Sequence, residues 1–89
     1  MDVIVFTLND CEHCKDLKIK LSNAQISFKE FEINEHKPFW DDIVKQTGAD
    51  VVPTLYLMDK INKRARILIG GKDFNSGDEA IKIIKKNTL

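Results

Sequence analysis

The apolar positions of the chain form short runs, and the spacing within each run distinguishes strands from helices. Residues 3–8 are almost continuously apolar and rich in β-branched side chains, which is typical of a central strand buried on both faces. Asn9 and Asp10 interrupt this run. Over residues 12–25 the apolar side chains recur at helical spacing with lysines between them, so we expect an amphipathic helix. Its apolar positions are Cys14, Leu17, Leu21 and Ala24.

The rest of the chain continues the alternation of strand and helix patterns. Residues 27–33 have an imperfect strand alternation, and residues 38–47 have helical spacing, with Pro38 in the first turn and Gly48 as the stop. Two more strands, joined by a polar turn, and a final amphipathic helix follow. These last elements are predicted over residues 54–58, 65–69 and 78–86.

The predicted order of elements is β-α-β-α-β-β-α, which places the fold in the α/β class. The first β-α-β unit requires a parallel strand pair with a right-handed crossover, and the late hairpin adds antiparallel strands. We therefore expect a mixed four-stranded sheet flanked by helices. A chain of 89 residues has room for one hydrophobic core, so we interpret residues 1–89 as a single domain.

The balance of acidic and basic side chains limits the functions that the protein can have. The chain carries 14 basic and 14 acidic side chains, which argues against a general nucleic-acid binder, because neutralising phosphates requires an excess of Lys and Arg. Residues 1–50 hold ten acidic and six basic side chains, whereas residues 51–89 hold four and eight. We interpret the basic excess near the predicted hairpin as a solvated surface, with an anion-attracting face as the alternative. The residues concerned are Lys60, Lys63, Arg64, Arg66 and Lys72.

Targeting signals and cysteine usage favour a reducing compartment. No apolar stretch approaches the roughly 20 residues of a membrane span, and the N-terminus lacks the pattern of a secretory signal. We therefore expect a cytoplasmic protein that does not contact a membrane. The two cysteines, Cys11 and Cys14, are too close in sequence to staple distant parts of the fold. In a reducing compartment such a pair is expected to be catalytic or metal-binding.

Cys11 and Cys14 follow the first predicted strand, at the N-terminal edge of the first helix. Unpaired N–H groups and the helix dipole at this position stabilise negative charge and therefore lower the pKa of a thiol. Because the thiolate attacks disulfides, we expect Cys11 to be the nucleophile and Cys14, one turn further, to resolve the mixed disulfide. Cys14 lies on the apolar stripe and should be the more buried. A protonated His13 would favour the Cys11 thiolate, whereas Glu12 and Asp10 would oppose it.

A metal site is the main alternative for this cysteine pair. A structural zinc site requires four ligands, and the CxxC motif supplies two. His13 lies inside the same short loop, which leaves His36 as the remaining histidine. An iron–sulfur cluster shared between two copies of the chain is a further alternative. We predict that the protein has no metal site.

Two further motifs lie where a partner backbone would approach. Pro53 opens the third predicted strand, a position that tolerates proline, and we predict a cis Val52–Pro53 peptide bond that leaves the polar backbone groups of Val52 to pair with an extended substrate. Gly70 and Gly71 permit close approach of a ligand, with Asp73 just beyond them. Exposed N–H groups there would hold a carboxylate, and Asp73 would hold an ammonium group.

These motifs together resemble the glutaredoxins. They are CEHC at residues 11–14, TGADVVP at residues 47–53 and IGGKD at residues 69–73, in an order of elements that covers nearly the whole chain. The resemblance implies a thioredoxin fold and reduction of protein or glutathione mixed disulfides, with glutathione as reductant and co-substrate. It places the nucleophile at Cys11 and a cis-proline at Pro53. The residues it implies for glutathione contacts are Val52, Gly71, Lys72, Asp73 and Gln46.

Several positions depart from the glutaredoxin pattern. CEHC replaces the common CPYC and is similar to the CGHC of protein disulfide isomerase. Leu8 stands where a lysine often anchors glutathione, and Phe74 where a second acidic residue is frequent. The late hairpin is longer than usual, and PTLYLMD is similar to thioredoxin.

From these observations we expect a monomeric, glutathione-linked thiol–disulfide oxidoreductase. Its partners would be disulfide-containing proteins, and the family resemblance suggests ribonucleotide reductase among them. One rival is a thioredoxin-like reductant served by a reductase protein. The rival from another class is a non-enzymatic zinc or iron–sulfur carrier that uses the same cysteines.

Overall fold

A computed structural model describes residues 2–87 of the chain. The order of its elements is the predicted one, with strands and helices alternating until the final hairpin and helix. The strands are β1 (Asp2–Thr7), β2 (Lys29–Glu32), β3 (Thr54–Asp59) and β4 (Arg64–Ile69). The helices are α1 (Glu12–Asn23), α2 (Lys37–Thr47) and α3 (Gly77–Asn87). Within residues 2–87, none of these helices has the length and apolar character needed to cross a membrane.

The four strands form one mixed sheet in the order β2-β1-β3-β4, which confirms the predicted architecture. β1 is central, because it pairs in parallel with β2 and antiparallel with β3. Its residue Val5 lies opposite Glu30 on one side and opposite Leu55 on the other. β4 closes the hairpin with β3 and forms one edge of the sheet. The carboxyl end of β1 therefore meets the beginning of β3 at one end of the sheet.

Side chains on the two faces of the sheet form separate hydrophobic clusters, as strand alternation requires. Helices α1 and α3 cover one face, over the larger cluster. Its buried members are Val3, Val5, Leu17, Leu21, Leu55, Leu57, Leu68, Phe74, Ala80 and Ile84. Helix α2 covers the other face, where Phe6 packs with Trp40 and Ile43. The sheet is thus buried from both sides at the end that carries the cysteines.

The bounds of all seven elements differ from the predicted ones by one or more residues, and three of these differences bear on the structure. Strand β1 ends at Thr7, so Leu8 lies outside the strand and is exposed. Helix α1 ends at Asn23 because Gln25 adopts a left-handed conformation, with a φ of 59°, and reverses the chain. Strand β2 is limited to Lys29–Glu32, the residues that pair with β1. Gly48, with a φ of 71°, ends α2 as predicted.

Candidate functional site

Cys11 lies in the loop between the central strand β1 and helix α1. Asp10, directly before it, has a φ of 62°, a left-handed conformation that Asp tolerates better than most residues. This turn places Cys11 immediately before Glu12, the first residue of α1. Ligands of open α/β sheets collect at the carboxyl ends of strands, so Cys11 occupies the position where a binding site is expected.

Cys11 is the N-cap residue of α1. Its Sγ accepts a hydrogen bond from the backbone N–H of Cys14 at 3.2 Å, and its carbonyl oxygen accepts the Lys15 N–H at 3.1 Å. Cys11 and Cys14 form a disulfide, with their Cα atoms 5.2 Å apart. Cys14 is only 1 % exposed, whereas Cys11 is partly exposed, which confirms the predicted difference in burial. Because an N–H donor faces Cys11 Sγ, a thiolate formed there on reduction receives a charge-assisted hydrogen bond.

The beginning of β3 lies at the same end of the sheet. The Val52–Pro53 peptide bond is cis, as predicted. Val51 is held in place because its carbonyl oxygen accepts the Thr54 hydroxyl at 2.7 Å. Within the part of the chain that the structure describes, neither the N–H nor the C=O of Val52 has a hydrogen-bond partner. Unpaired backbone groups at an extended segment are the requirement for pairing with an extended ligand.

The turn after β4 differs from the sequence expectation. The N–H groups of Gly71, Lys72 and Asp73 are not available to a ligand carboxylate. The Gly71 N–H donates to the Phe74 carbonyl at 2.8 Å, and the Lys72 and Asp73 N–H groups both donate to the Ile69 carbonyl. One carboxylate oxygen of Asp73 accepts the Ile69 N–H at 2.7 Å. The turn therefore closes on itself, and Asp73 serves first to hold its end.

Phe74, where the family often has an acidic residue, is a buried core side chain. It belongs to the cluster under α1 and α3, and its ring lies close to Gly70. Gly70 in turn donates its N–H to the Pro53 carbonyl at 3.1 Å. Phe74 thus fixes the glycine turn against the segment that contains the cis-proline.

A small pocket of about 140 Å³ lies between the N-terminal ends of α1 and α3. Pro53, Leu17 and Phe74 provide its apolar part, and His13 and Asp16 are on its polar side. The remaining lining residues are Asn75, Ser76 and Gly77. His13 is thereby placed at the rim of the cysteine site, although its side chain forms no hydrogen bond or ion pair with another described residue.

The sequence analysis did not single out Ser76 or Asp16. The Ser76 hydroxyl accepts the Glu79 N–H at 3.2 Å, and a Glu79 carboxylate oxygen accepts the Asn75 N–H at 3.3 Å. The Ser-x-x-Glu spacing is a capping signal that was available in the sequence. Asp16 had no such signal, because only the packing of α1 against α3 brings it to this pocket.

Gln46 is exposed on α2, and its side chain forms no hydrogen bond with another described residue. Lys72 is also exposed, in the glycine turn. Within residues 2–87, no group of three or more His, Cys, Asp or Glu side chains is arranged to hold a metal ion.

Comparison with known proteins identifies the family. The sequence model of the glutaredoxins matches residues 3–61, which is more than half of the chain. The chain belongs to the glutaredoxin family. Members of this family are thiol–disulfide oxidoreductases, and Cys11 and Cys14 form a CxxC pair at the start of α1. No curated protein is significantly similar to this glutaredoxin in sequence.

Solved structures confirm the thioredoxin fold. Thioredoxin 1 from Thermosipho africanus superposes with a TM-score of 0.66 at 19 % identity, covering 99 % of this chain and 94 % of its own. A buckwheat glutaredoxin–glutathione complex gives a TM-score of 0.58 at 18 % identity, covering 98 % and 71 %. The holo form of glutaredoxin C1 from Populus tremula x tremuloides gives 0.57 at 24 % identity, covering 96 % and 75 %. At these identities the similarity establishes the fold.

The two glycines of this glutaredoxin's turn should respond differently to alanine. A Cβ on Gly70 would collide with the Pro53 carbonyl oxygen, which belongs to the backbone and cannot rotate away. A Cβ on Gly71 meets nothing, but the residue has a φ of 85°. We expect Gly70→Ala to lower the free energy of unfolding by about 2–3 kcal/mol and Gly71→Ala by about 1 kcal/mol. Urea unfolding of both variants tests this, and equal losses would contradict the close contact with Pro53.

An ion pair connects α1 to β2 of this glutaredoxin, and a hydrogen bond connects the same carboxylate to the end of β1. Glu30 on β2 accepts the Thr7 hydroxyl and the Lys18 ammonium group, both at 2.9 Å. The hydrogen bond from Lys18 lowers the pKa of Glu30 below 4.5, the hydrogen bond from Thr7 acts in the same direction, and partial burial opposes both. Thr7, whose hydroxyl is buried, is thus satisfied directly before the loop that leads to Cys11.

Because folding lowers the pKa of Glu30, its ionised form stabilises the folded state above the unfolded pKa of about 4.5, and this contribution is lost as the pH falls through the folded pKa. The Glu30 side chain is 42 % exposed, so we expect Glu30→Gln to reduce stability at pH 7 by less than about 1 kcal/mol. The difference between the variant and the parent should shrink as the pH falls below about 4.5. A difference that persists at low pH would rule out the ionic contribution.

Proposed function

We propose that this protein reduces disulfides in proteins and mixed disulfides through Cys11 and Cys14, and that glutathione returns it to the dithiol state. The observation that carries the proposal is the position of Cys11, whose Sγ caps α1 at the end of the sheet where Val52, with its unpaired backbone groups, precedes β3. Its cysteine usage places it in a reducing compartment, which we propose to be the cytoplasm. Residues 1–89 would act as one domain and as a monomer.

The reaction uses the two cysteines in turn. The Cys11 thiolate attacks one sulfur of the substrate disulfide, forming a bond to that sulfur and releasing the other as a thiolate that takes up a proton. Cys14 loses its proton and attacks Cys11 Sγ, which breaks the mixed disulfide and releases the second substrate thiol. The substrate gains two electrons and two protons, and the protein is left with the Cys11–Cys14 disulfide. Two molecules of glutathione, oxidised to their disulfide, supply the electrons for its reduction.

The residues near Cys11 fit the cysteinyl part of glutathione better than its ends. Val52 offers an unpaired N–H and C=O at the end of the sheet that carries the cysteine pair. For the γ-glutamyl end, the closed turn leaves the exposed Lys72 ammonium group for its carboxylate and the second carboxylate oxygen of Asp73 for its amine, while Gly71 allows close approach. We assign the glycyl carboxylate to the neighbourhood of Gln46 on α2.

Leu8 bears directly on this assignment. It is exposed beyond the end of β1, in place of a lysine that often anchors glutathione in the family. Restoring a cation there should strengthen binding of glutathione carboxylates through a charge-assisted contact worth about 1 kcal/mol, or roughly fivefold in KM. Leu8→Met, which keeps the residue apolar and of similar size, is the matched control for Leu8→Lys.

The test is reduction of a small glutathione mixed disulfide, coupled to glutathione and glutathione reductase, with Cys11→Ser as the inactive control. The glutathione assignment is supported if the protein turns over, Leu8→Lys lowers the KM for the substrate, and Leu8→Met leaves the KM unchanged. Absence of turnover, together with dithiol-driven reduction of insulin, would instead favour a thioredoxin-like reductant that is served by a reductase protein.

His13 is proposed to favour the Cys11 thiolate from the rim of the site, where it lines the pocket beside Pro53. Its positive form would attract a negative sulfur, so the neutral variant His13→Gln should move the pH profile of Cys11 alkylation by iodoacetamide to higher pH. Lys15→Gln removes a nearby exposed charge on the same helix and serves as the control. Identical profiles for His13→Gln and the parent would remove His13 from the mechanism.

A further inference from the structure

The β3–β4 hairpin lies at the end of the sheet opposite to the cysteines. β3 begins beside Pro53 and ends at Asp59, so its six residues separate the hairpin turn from the redox site by roughly 20 Å. The hairpin contains most of the excess positive charge of the second half of the chain. The reaction at Cys11 makes no use of this end of the molecule.

The hairpin turn has a fixed conformation. The Asp59 carboxylate accepts the N–H groups of Ile61 and Asn62 at 3.1 and 3.2 Å, and the Asn62 side-chain amide at 2.7 Å. The Asn62 side-chain bond, followed by the Asn62 and Ile61 backbone bonds, lowers the pKa of Asp59 and so keeps this acceptor ionised. Lys63 completes the turn with a φ of 51°. The side chains at the turn are therefore presented in a defined arrangement.

The surface presented there combines apolar and basic side chains. Ile61 is 93 % exposed. Beside the turn, a groove of about 390 Å³ is lined by Tyr56, Met58 and Ala65 together with one acidic residue, Asp59, and three basic ones, Lys60, Lys63 and Arg64. Lys60 pairs with Asp2 at 3.1 Å, but within residues 2–87 neither Lys63 nor Arg64 has a carboxylate partner.

The strand beside this groove lies at the edge of the sheet. β4 is an edge strand, so its outer side faces no other strand of the sheet. Basic residues at an edge discourage pairing with another copy that carries the same charges, but they favour an extended segment of opposite charge. Arg64 and Arg66 lie on this strand, and both are exposed.

We propose that the hairpin and the outer edge of β4 bind an extended acidic protein segment that also carries apolar side chains. Its carboxylates would face Lys63 and Arg64, an apolar side chain would pack against Ile61 or enter the groove beside Tyr56, and its backbone would add a strand to β4. A long polyanion fits less well, because residues 1–50 carry a net negative charge that would repel it. This docking surface is independent of the reaction at Cys11.

The probe is a short fluorescein-labelled peptide in which Glu and Val alternate, measured by fluorescence anisotropy at low ionic strength. The protein carries Cys11→Ser and Cys14→Ser, so that sulfur chemistry plays no part. We expect saturable binding that the double variant Lys63→Glu, Arg64→Glu weakens by about tenfold or more and that added salt also weakens. Lys45→Glu, Lys82→Glu makes the same change in net charge on α2 and α3 and should bind like the parent.

Amide chemical shifts place the peptide on the fold. Changes confined to β4 and the hairpin turn would support the proposal, and Ile61→Ala should weaken binding without moving the remaining resonances. The proposal is overturned by absence of binding, by equal loss in the two charge-reversed variants, or by shifts centred on α1 or α2. Stronger binding to a single-stranded oligonucleotide or to vesicles containing anionic phospholipid would also overturn it, in favour of those ligands.

Discussion

Replacing Cys11 by serine should abolish thiol–disulfide exchange, whereas Cys14→Ser should retain part of the glutathione-linked activity. Cys11 is partly exposed and its sulfur accepts a hydrogen bond from the Cys14 N–H, so we expect it to be the thiol that a substrate meets. Cys14 is buried, so we expect it to act only after a mixed disulfide has formed on Cys11. A second molecule of glutathione can replace Cys14 at that step but cannot replace the nucleophile.

The measurement is turnover of a glutathione mixed disulfide by each variant, with insulin reduction run in parallel. Cys14→Ser should lose insulin reduction almost completely, because resolving a protein mixed disulfide depends on the second cysteine. Equal and complete loss of both activities in the two variants would exclude a step that needs only Cys11. Mass spectrometry of Cys14→Ser should show glutathione attached to Cys11.

Phe6→Ala should come close to unfolding the protein. Phe6 is 0 % exposed in the central strand, and its ring contacts those of Phe39 and Trp40 with centroids 5.1 and 5.2 Å apart. Truncating a fully buried aromatic side chain costs about 3–5 kcal/mol, a large part of the total stability of a small domain. We expect a correspondingly lower midpoint in urea, and loss of much of the folded population at 37 °C.

Phe28→Ala is the matched control, because Phe28 is only partly buried at the margin of the opposite cluster. It should lower the free energy of unfolding by clearly less than Phe6→Ala. If both variants unfold at the same urea concentration, the packing of α2 over Phe6 contributes less than its burial indicates.

The order of strands and helices was predictable because burial imposes a period on the sequence. Residues 3–8 and the stripe through Cys14, Leu17 and Leu21 have the periods of a buried strand and an amphipathic helix, and both form as expected. The end of α1 was less predictable. Gln25 adopts a left-handed φ without the glycine that usually marks such a residue.

The position of the cysteine pair was also predictable. The pair directly follows a strand pattern and opens a helical pattern, so it had to lie at the N-terminus of the helix. The turn around Gly70 was not. Whether an N–H group faces a ligand or a neighbouring carbonyl depends on the path of the backbone, and here Ile69 and Phe74 accept the N–H groups of Gly71, Lys72 and Asp73. The pocket beside His13 was likewise invisible, because it depends on how α1 packs on α3.

The pairing of β1 with β3 joins two contiguous halves of the chain, one that ends with α2 and one that begins before β3. Val5 reaches Glu30 through a local crossover, but it reaches Leu55 across fifty positions, and closing that long loop slows folding more than it reduces stability. Residues 48–51 join the halves outside any helix or strand. A chain cut there would yield one fragment with both cysteines and α2 and another with Pro53 and the glycine turn. Neither fragment contains the whole site. Recovery of activity on mixing the fragments would therefore show that they associate through the pairing of β1 with β3.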